Sequence, residues 1–341
     1  MDNARRMAPC KLRPGRRWLW LWLVATVAAA QAQTCQSAED LDAPVRTALE
    51  TTAKKYFDMS ARGDTAGLQQ NSIPSVAASF GGIEAAVKDN QSAFASAQAT
   101  TRPPFVLMTE GTEPMAHAEF LCGVFGKSGQ TSDSAVFVLN NLPPGKYGVV
   151  LLDAKGSPDE RVVTLILQQI GEDWKLAGFY VRPSQIQGHD GAWFAQRARE
   201  FKAKGQTRNA WFYYQEAISL SAPADFMSTL ATDRLYDEGH SVLPEDLPSS
   251  EHPLDLSGGG KTYRLTTIFL TSVGSDLDLV VKYQATDVSN SGRTFQENKV
   301  VMQALVAKFP EFRDAFAGIV ARAVEPSGKD FGSMLPMKEI K

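Results

Sequence analysis

The hydrophobic period of this chain changes near Arg102 from that of helices to that of strands, and that change narrows the class of fold open to it. From Asp42 and Pro44 onward, Val45, Ala48, Leu49, Thr52, Ala53, Tyr56 and Phe57 recur at three- and four-residue spacing, the signature of one buried helix face. Gly63-Asp64 ends this helix, a shorter helical piece runs to about Gln70, and a third helix from Gly82 places Ile83, Ala86, Val87, Asn90 and Phe94 on one face. Over residues 102–181 the period is two, with β-branched and aromatic residues between Gly, Pro, Asn and Asp turns. Strands are expected at 105–109, at 118–124 with Ala118, Phe120, Cys122 and Val124 facing the core, and at 136–139 and 147–152 around the turn 140–145. Residues 161–170 and 174–181 flank Gly171-Glu172-Asp173 as a hairpin. Helices followed by antiparallel strands make an α+β layer.

The helix ending Tyr56-Phe57-Asp58-Met59-Ser60-Ala61-Arg62-Gly63-Asp64, the further helices, and the closing hairpin through Trp174, Phe179 and Tyr180 resemble the nuclear transport factor two-like roll, which includes ketosteroid isomerases. The resemblance covers about residues 44–182. It departs from that family at Gln69-Gln70-Asn71-Ser72-Ile73-Pro74, where an aromatic and acidic run is usual. The segment Leu142-Pro143-Pro144-Gly145-Lys146-Tyr147 resembles instead the strand turns of carboxypeptidase regulatory-like sandwiches, but three preceding helices do not belong to a sandwich.

Residues 191–224 resemble one tetratricopeptide repeat. Ala198, Phe201, Gly205, Ala210, Tyr214 and Ala217 fall at that repeat's small, aromatic and glycine positions, and Pro223 lies near its closing proline. Small residues let two antiparallel helices approach, and aromatics fill the seam. Without a second copy, the expectation is a lone hairpin packed on its neighbours. Residues 237–260, rich in Pro, Ser, Asp, Glu and Gly, read as a linker. Beyond it, Tyr263, Leu265, Thr267 and Phe269 alternate, as do Leu277, Leu279, Val281 and Tyr283. A helix at 294–308 turns Phe295, Met302, Leu305, Val306 and Phe309 inward, and a last hairpin turns at Pro326-Ser327-Gly328. The expected organisation is therefore a leader (1–32), a short N-terminal linker (33–43), a roll-like α+β domain (44–183), a tetratricopeptide-like hairpin region (184–236), a linker (237–260) and a small β-β-α-β-β domain (261–341).

The leader is read from six Lys/Arg before Trp18, a thirteen-residue apolar block from Trp18 to Ala30, and the small-x-small site Ala30-Gln31-Ala32, which predicts cleavage after Ala32. The block is too short to span a bilayer. Arg16-Arg17 admits a twin-arginine route, but the very apolar core favours ordinary Sec export, and Cys35 lacks the residues of a lipoprotein signal before it. The expected location is periplasmic or secreted. Loss of the leader removes six cations and one anion and takes the net charge from −3 to −8. Such a chain is a poor binder of nucleic acid, and no apolar segment after residue 32 is long enough to cross a membrane. Two cysteines are left, Cys35 and Cys122; an oxidising compartment invites a disulfide between them, with a buried thiol at Cys122 as the alternative, since sequence alone gives no Cα separation.

No motif commits the chain to catalysis, a cofactor or a metal. Gly260-Lys261-Thr262 and Gly126-Lys127-Ser128 lack the glycine that a phosphate loop needs five residues before its Gly-Lys, where Asp255 and Leu121 stand, and a strand follows the first. Asp276 and Asp278 read as solvated partners of Leu277 and Leu279. His117, His189, His240 and His252 have no zinc spacing, and Asp190 reads as a helix cap. The resemblance to ketosteroid isomerases implies a carboxylate and hydrogen-bond donors inside the roll, for which Asp58, Glu119 and Asp153 beside Tyr56, Tyr147 or Tyr180 supply the residue types. The expected function is thus non-catalytic binding of a protein or small ligand outside the cytoplasm, with a small-molecule enzyme as the alternative.

Overall fold

The computed structural model describes residues 33–125, 129–157, 159–273 and 276–341. The leader, the cleavage position after Ala32, and Gly126-Lys127-Ser128 lie outside them. The fold is α+β. Strand β1 (Gln33–Gln36) is followed by helices α1 (Ala43–Ala61), α2 (Thr65–Gln70), α3 (Pro74–Ala78) and α4 (Gly81–Ala95). Pro44 stands in the first turn of α1, where no N–H is needed, and Asp64 caps α2 by accepting the Gly67 N–H at 2.8 Å. Strands β2 (Gln98–Thr101), β3 (Phe105–Thr109), β4 (Met115–Cys122), β5 (Ala135–Leu142), β6 (Gly145–Lys155), β7 (Arg161–Ile170) and β8 (Asp173–Pro183) come next.

The main sheet runs β1-β3-β6-β7-β8, with β2 also on β6, and all its pairs are antiparallel. One face carries the helices: Leu49, Ala53, Phe57 and Phe94 pack on Val150, Leu152, Val163 and Leu165. Gly148 of β6 makes this contact close, because a Cβ there would overlap the Leu49 Cδ2 atom. The other face is covered by a second sheet, β4 and β5 with a later strand, whose Phe120, Cys122 and Phe137 pack on Phe105, Leu107, Val149 and Leu151. Residues 147–152 are consequently buried without alternation, as expected of a strand covered on both sides. The turn at 140–145 is a corner between the two sheets: β5 pairs with β4, whereas β6 pairs with β3. Thr109 Oγ1 pins it, donating to the Pro143 carbonyl at 3.0 Å and accepting the Gly145 N–H at 3.1 Å.

The second half contains two short strands, β9 (Gln185–Ile186) and β10 (His189–Asp190), then α5 (Gly191–Ala203), α6 (Thr207–Ser221), β11 (Met227–Thr229) and α7 (Leu230–His240). Asp190 caps α5 by accepting the Trp193 N–H at 2.9 Å, and Gly205, at φ +75°, turns the chain between α5 and α6. β11 returns to the N-terminal half as the third strand of the second sheet, in the order β11-β5-β4. The chain then forms β12 (Leu254–Gly258), β13 (Lys261–Val273), β14 (Asp276–Gln284), α8 (Ser291–Lys308), β15 (Gly318–Val324) and β16 (Asp330–Pro336). These five strands make one sheet in sequence order, antiparallel except for β14 and β15, which α8 joins in parallel.

Two expectations about this half need correction. Residues 237–260 contain the last turn of α7 and all of β12, whose buried Leu256 pairs with Tyr263; the Gly258-Gly259-Gly260 tract is the β12–β13 turn, and three strands rather than two precede α8. The helical hairpin and the C-terminal sheet also share one core, in which Phe201, Ala210, Phe212 and Tyr213 join Leu265, Leu279, Leu305, Phe312 and Phe316. Polar contacts cross the same seam: Asn209 Nδ2 donates to the Glu311 carbonyl at 2.6 Å, Tyr213 Oη to the Ala315 carbonyl at 2.8 Å, and the Arg208 guanidinium pairs with both Glu311 and Asp246.

Candidate functional site

The residue types that the roll resemblance implied are dispersed. Asp58 and Glu119 are exposed, Glu119 on the outer face of β4. Tyr56 Oη donates to the Trp174 carbonyl at 2.9 Å and Tyr147 Oη to the Pro143 carbonyl at 2.9 Å, so both phenols tie backbone segments together. Burial pushes the Tyr56 phenol up to about 12 and raises that of Tyr147. Tyr180 lies edge-on to Phe226, 4.9 Å between ring centres. Both faces of the main sheet are packed with apolar side chains.

The histidines are likewise apart. His117 Nδ1 lies 3.3 Å from Asn140 Oδ1, His189 stacks on Trp193 with ring centres 3.8 Å apart, and His240 stacks on Tyr236. Among the described residues no group of three or more His, Cys, Asp or Glu could hold a metal ion. Lys261, the first residue of β13, pairs with Glu297 at 2.7 Å. Asp278 is fully buried, which corrects the expectation of a solvated position: β14 is a central strand, flanked by β13 and β15.

Cys35 of β1 and Cys122 of β4 are joined by a disulfide, Cα to Cα 5.3 Å, closing a separation of 87 residues. The bond clips an end strand of the main sheet to an end strand of the second, and the Glu119 N–H donates to Gln33 Oε1 at 3.2 Å beside it. Next to this clip opens a cleft of about 1190 Å³ that carries charged side chains.

The cleft is built from five pieces of chain. Phe105 of β3, Leu151 of β6 and Met227 of β11, all buried, form its apolar floor. One wall is the β1–α1 connection with Glu39 and Asp40, continued by Arg46 and Glu50 of α1. Asp40 Oδ2 accepts from the Ser37 N–H and hydroxyl at 3.2 and 2.8 Å, which sets the turn. The opposite wall comprises Gly123, Phe125 and residues 129–134, where Ser134 Oγ takes the Thr131 N–H and donates to the Gly123 carbonyl, both at 2.8 Å. Arg102 borders the floor in a bidentate pair with Asp153, Nε to Oδ2 2.9 Å and Nη2 to Oδ1 2.6 Å. Phe125 stands 83% exposed on the rim.

The lining therefore offers hydroxyls (Ser37, Thr101, Thr131, Ser132, Thr229), four carboxylates (Glu39, Asp40, Glu50, Asp133) and an apolar base. These groups can hydrogen-bond, attract positive charge and bury apolar surface. Sequence reading passed over the site because its residues come from distant segments; the one local signal is Phe125 between Gly123 and Gly126, a large aromatic in a glycine-flanked loop. A second depression, between the start of α1 and the β7–β8 turn near Thr47, Thr51 and Trp174, is shallow. Comparison with family models, curated proteins and solved structures gives no match to this chain.

Proposed function

We propose that this protein is an exported, non-catalytic binding protein of the cell envelope or exterior, and that it takes its ligand in the cleft between α1 and the loop after β4. The observation that carries the reading is the cleft itself: an apolar floor ringed by hydroxyls and carboxylates, with an exposed aromatic on its rim. Its walls are held in place by the Arg102–Asp153 pair, the Ser134 hydrogen bonds and the adjacent disulfide, so the cavity is formed before any ligand arrives. Export is supported by the basic, apolar and small-x-small order of the first 32 residues and by the Cys35–Cys122 bond, which suits an oxidising compartment.

The test is native mass spectrometry of the protein purified from its own host. A retained mass is expected on the wild type and should be lost in Ser132→Trp, which sets an indole at the cleft mouth. A chain that carries no ligand and takes none from host extract would overturn the reading, as would one whose ligand survives Ser132→Trp. N-terminal sequencing should begin at Gln33.

A further inference from the structure

Resting on that reading of the cleft, we infer that its occupant is a positively charged, extended peptide segment bearing an apolar side chain. Charge comes first. Glu39, Asp40, Glu50 and Asp133 line the walls against two cations, Arg46 and Arg102, and Arg102 is already neutralised by its bidentate pair with Asp153. The mature charge of −8 adds a long-range field of the same sign, which speeds encounter with cations.

Shape comes second. At about 1190 Å³ the cleft exceeds the roughly 300–1,000 Å³ of small-molecule pockets, and it is partly open to solvent. A chain fits such a site better than a compact metabolite. Each peptide unit brings one donor and one acceptor that need partners when buried, and hydroxyls such as Thr101 and Ser132 can serve as either. The floor of Phe105, Leu151 and Met227 suits one apolar side chain, and the exposed ring of Phe125 offers its face to a Lys or Arg of the same segment.

The test is fluorescence anisotropy with a labelled octapeptide of alternating lysine and leucine, beside its glutamate–leucine counterpart. The lysine peptide should bind, and its affinity should fall about tenfold or more between low and high salt, because exposed charges are screened. Glu50→Gln with Asp133→Asn should weaken binding about tenfold, whereas Glu251→Gln with Glu339→Gln, away from the cleft, should leave it unchanged. Phe125→Ser should weaken binding too. Equal affinity for the glutamate peptide, equal effects of the two variant pairs, or displacement of the peptide by a stoichiometric linear triamine would overturn the inference. If the lysine peptide fails to bind while the host-purified protein carries a ligand that Ser132→Trp removes, the binding reading stands and the peptide assignment falls. If neither is seen, both fall.

Discussion

Glu216 is a half-buried carboxylate on α6, and burial raises its pKa above the ordinary range. The ionised form is thus disfavoured in the folded chain. At acid pH both states are protonated and the site is neutral in its effect; as pH rises through the ordinary carboxylate range the unfolded chain ionises first and stability falls, until the folded carboxyl has ionised as well. Glu216→Gln should therefore raise the melting temperature near about pH 8, and the gain should vanish near about pH 3. Glu238 behaves oppositely. Its hydrogen bonds from Arg199, at 2.7 and 2.9 Å, hold its pKa below the ordinary range, so its contribution is present above that range and is lost as pH falls through the depressed value. Glu238→Gln should lower the melting temperature near about pH 8 and do little near about pH 2; equal pH profiles for the two variants would contradict both assignments. Such environments are invisible to residue type. Gln206 is a polar residue at the start of α6, yet it donates to Asp314 at 2.6 Å and accepts from Asn209 at 3.1 Å, and the first of these bonds depends on where residues 310–314 pack.

Among the elements, β1 is four residues long and gains most of its anchoring from outside itself: four pairs with β3 and the bond from Cys35 to Cys122. Closing a separation of 87 residues is worth about 4 kcal/mol through the unfolded state. Cys35→Ser with Cys122→Ser should lower stability by about that amount, measured by urea unfolding, and alkylation of the denatured, unreduced wild type should label neither cysteine. The helices of the N-terminal half and the β7–β8 hairpin were legible because period and turn residues are local signals. What covers the far face of the main sheet was not, since β4, β5 and β11 come from residues 115–122, 135–142 and 227–229. The same distance hid the cleft, whose floor takes one residue each from β3, β6 and β11. β12 was missed for a different reason: its polar residues and glycines resemble a linker, and only its pairing with β13 buries Leu256.

At the scale of the molecule, the helical hairpin is part of the C-terminal core. Phe312, fully buried, meets Phe212 of α6 at 6.1 Å between ring centres and Phe316 at 5.7 Å. Phe312→Ala should cost about 3–5 kcal/mol, and the fluorescence of Trp193 and Trp211 on the hairpin should change in the same transition as the far-ultraviolet signal of the sheet. Separate transitions would show the hairpin to be an independent unit. The position of β1 also sets an order of events for a chain made from its N-terminus. Its sheet partners, Val106 to Thr109, follow some seventy residues later, its sulfur partner 87 residues later, and the strand that completes the layer over them, β11, only at Met227. The earliest described strand therefore waits for partners made much later, and until residue 122 is made Cys35 lacks its native sulfur partner. In a chain halted before residue 122 that thiol lacks its native partner, so it is the interrupted product, rather than the finished protein, whose Cys35 is open to capture by another cysteine.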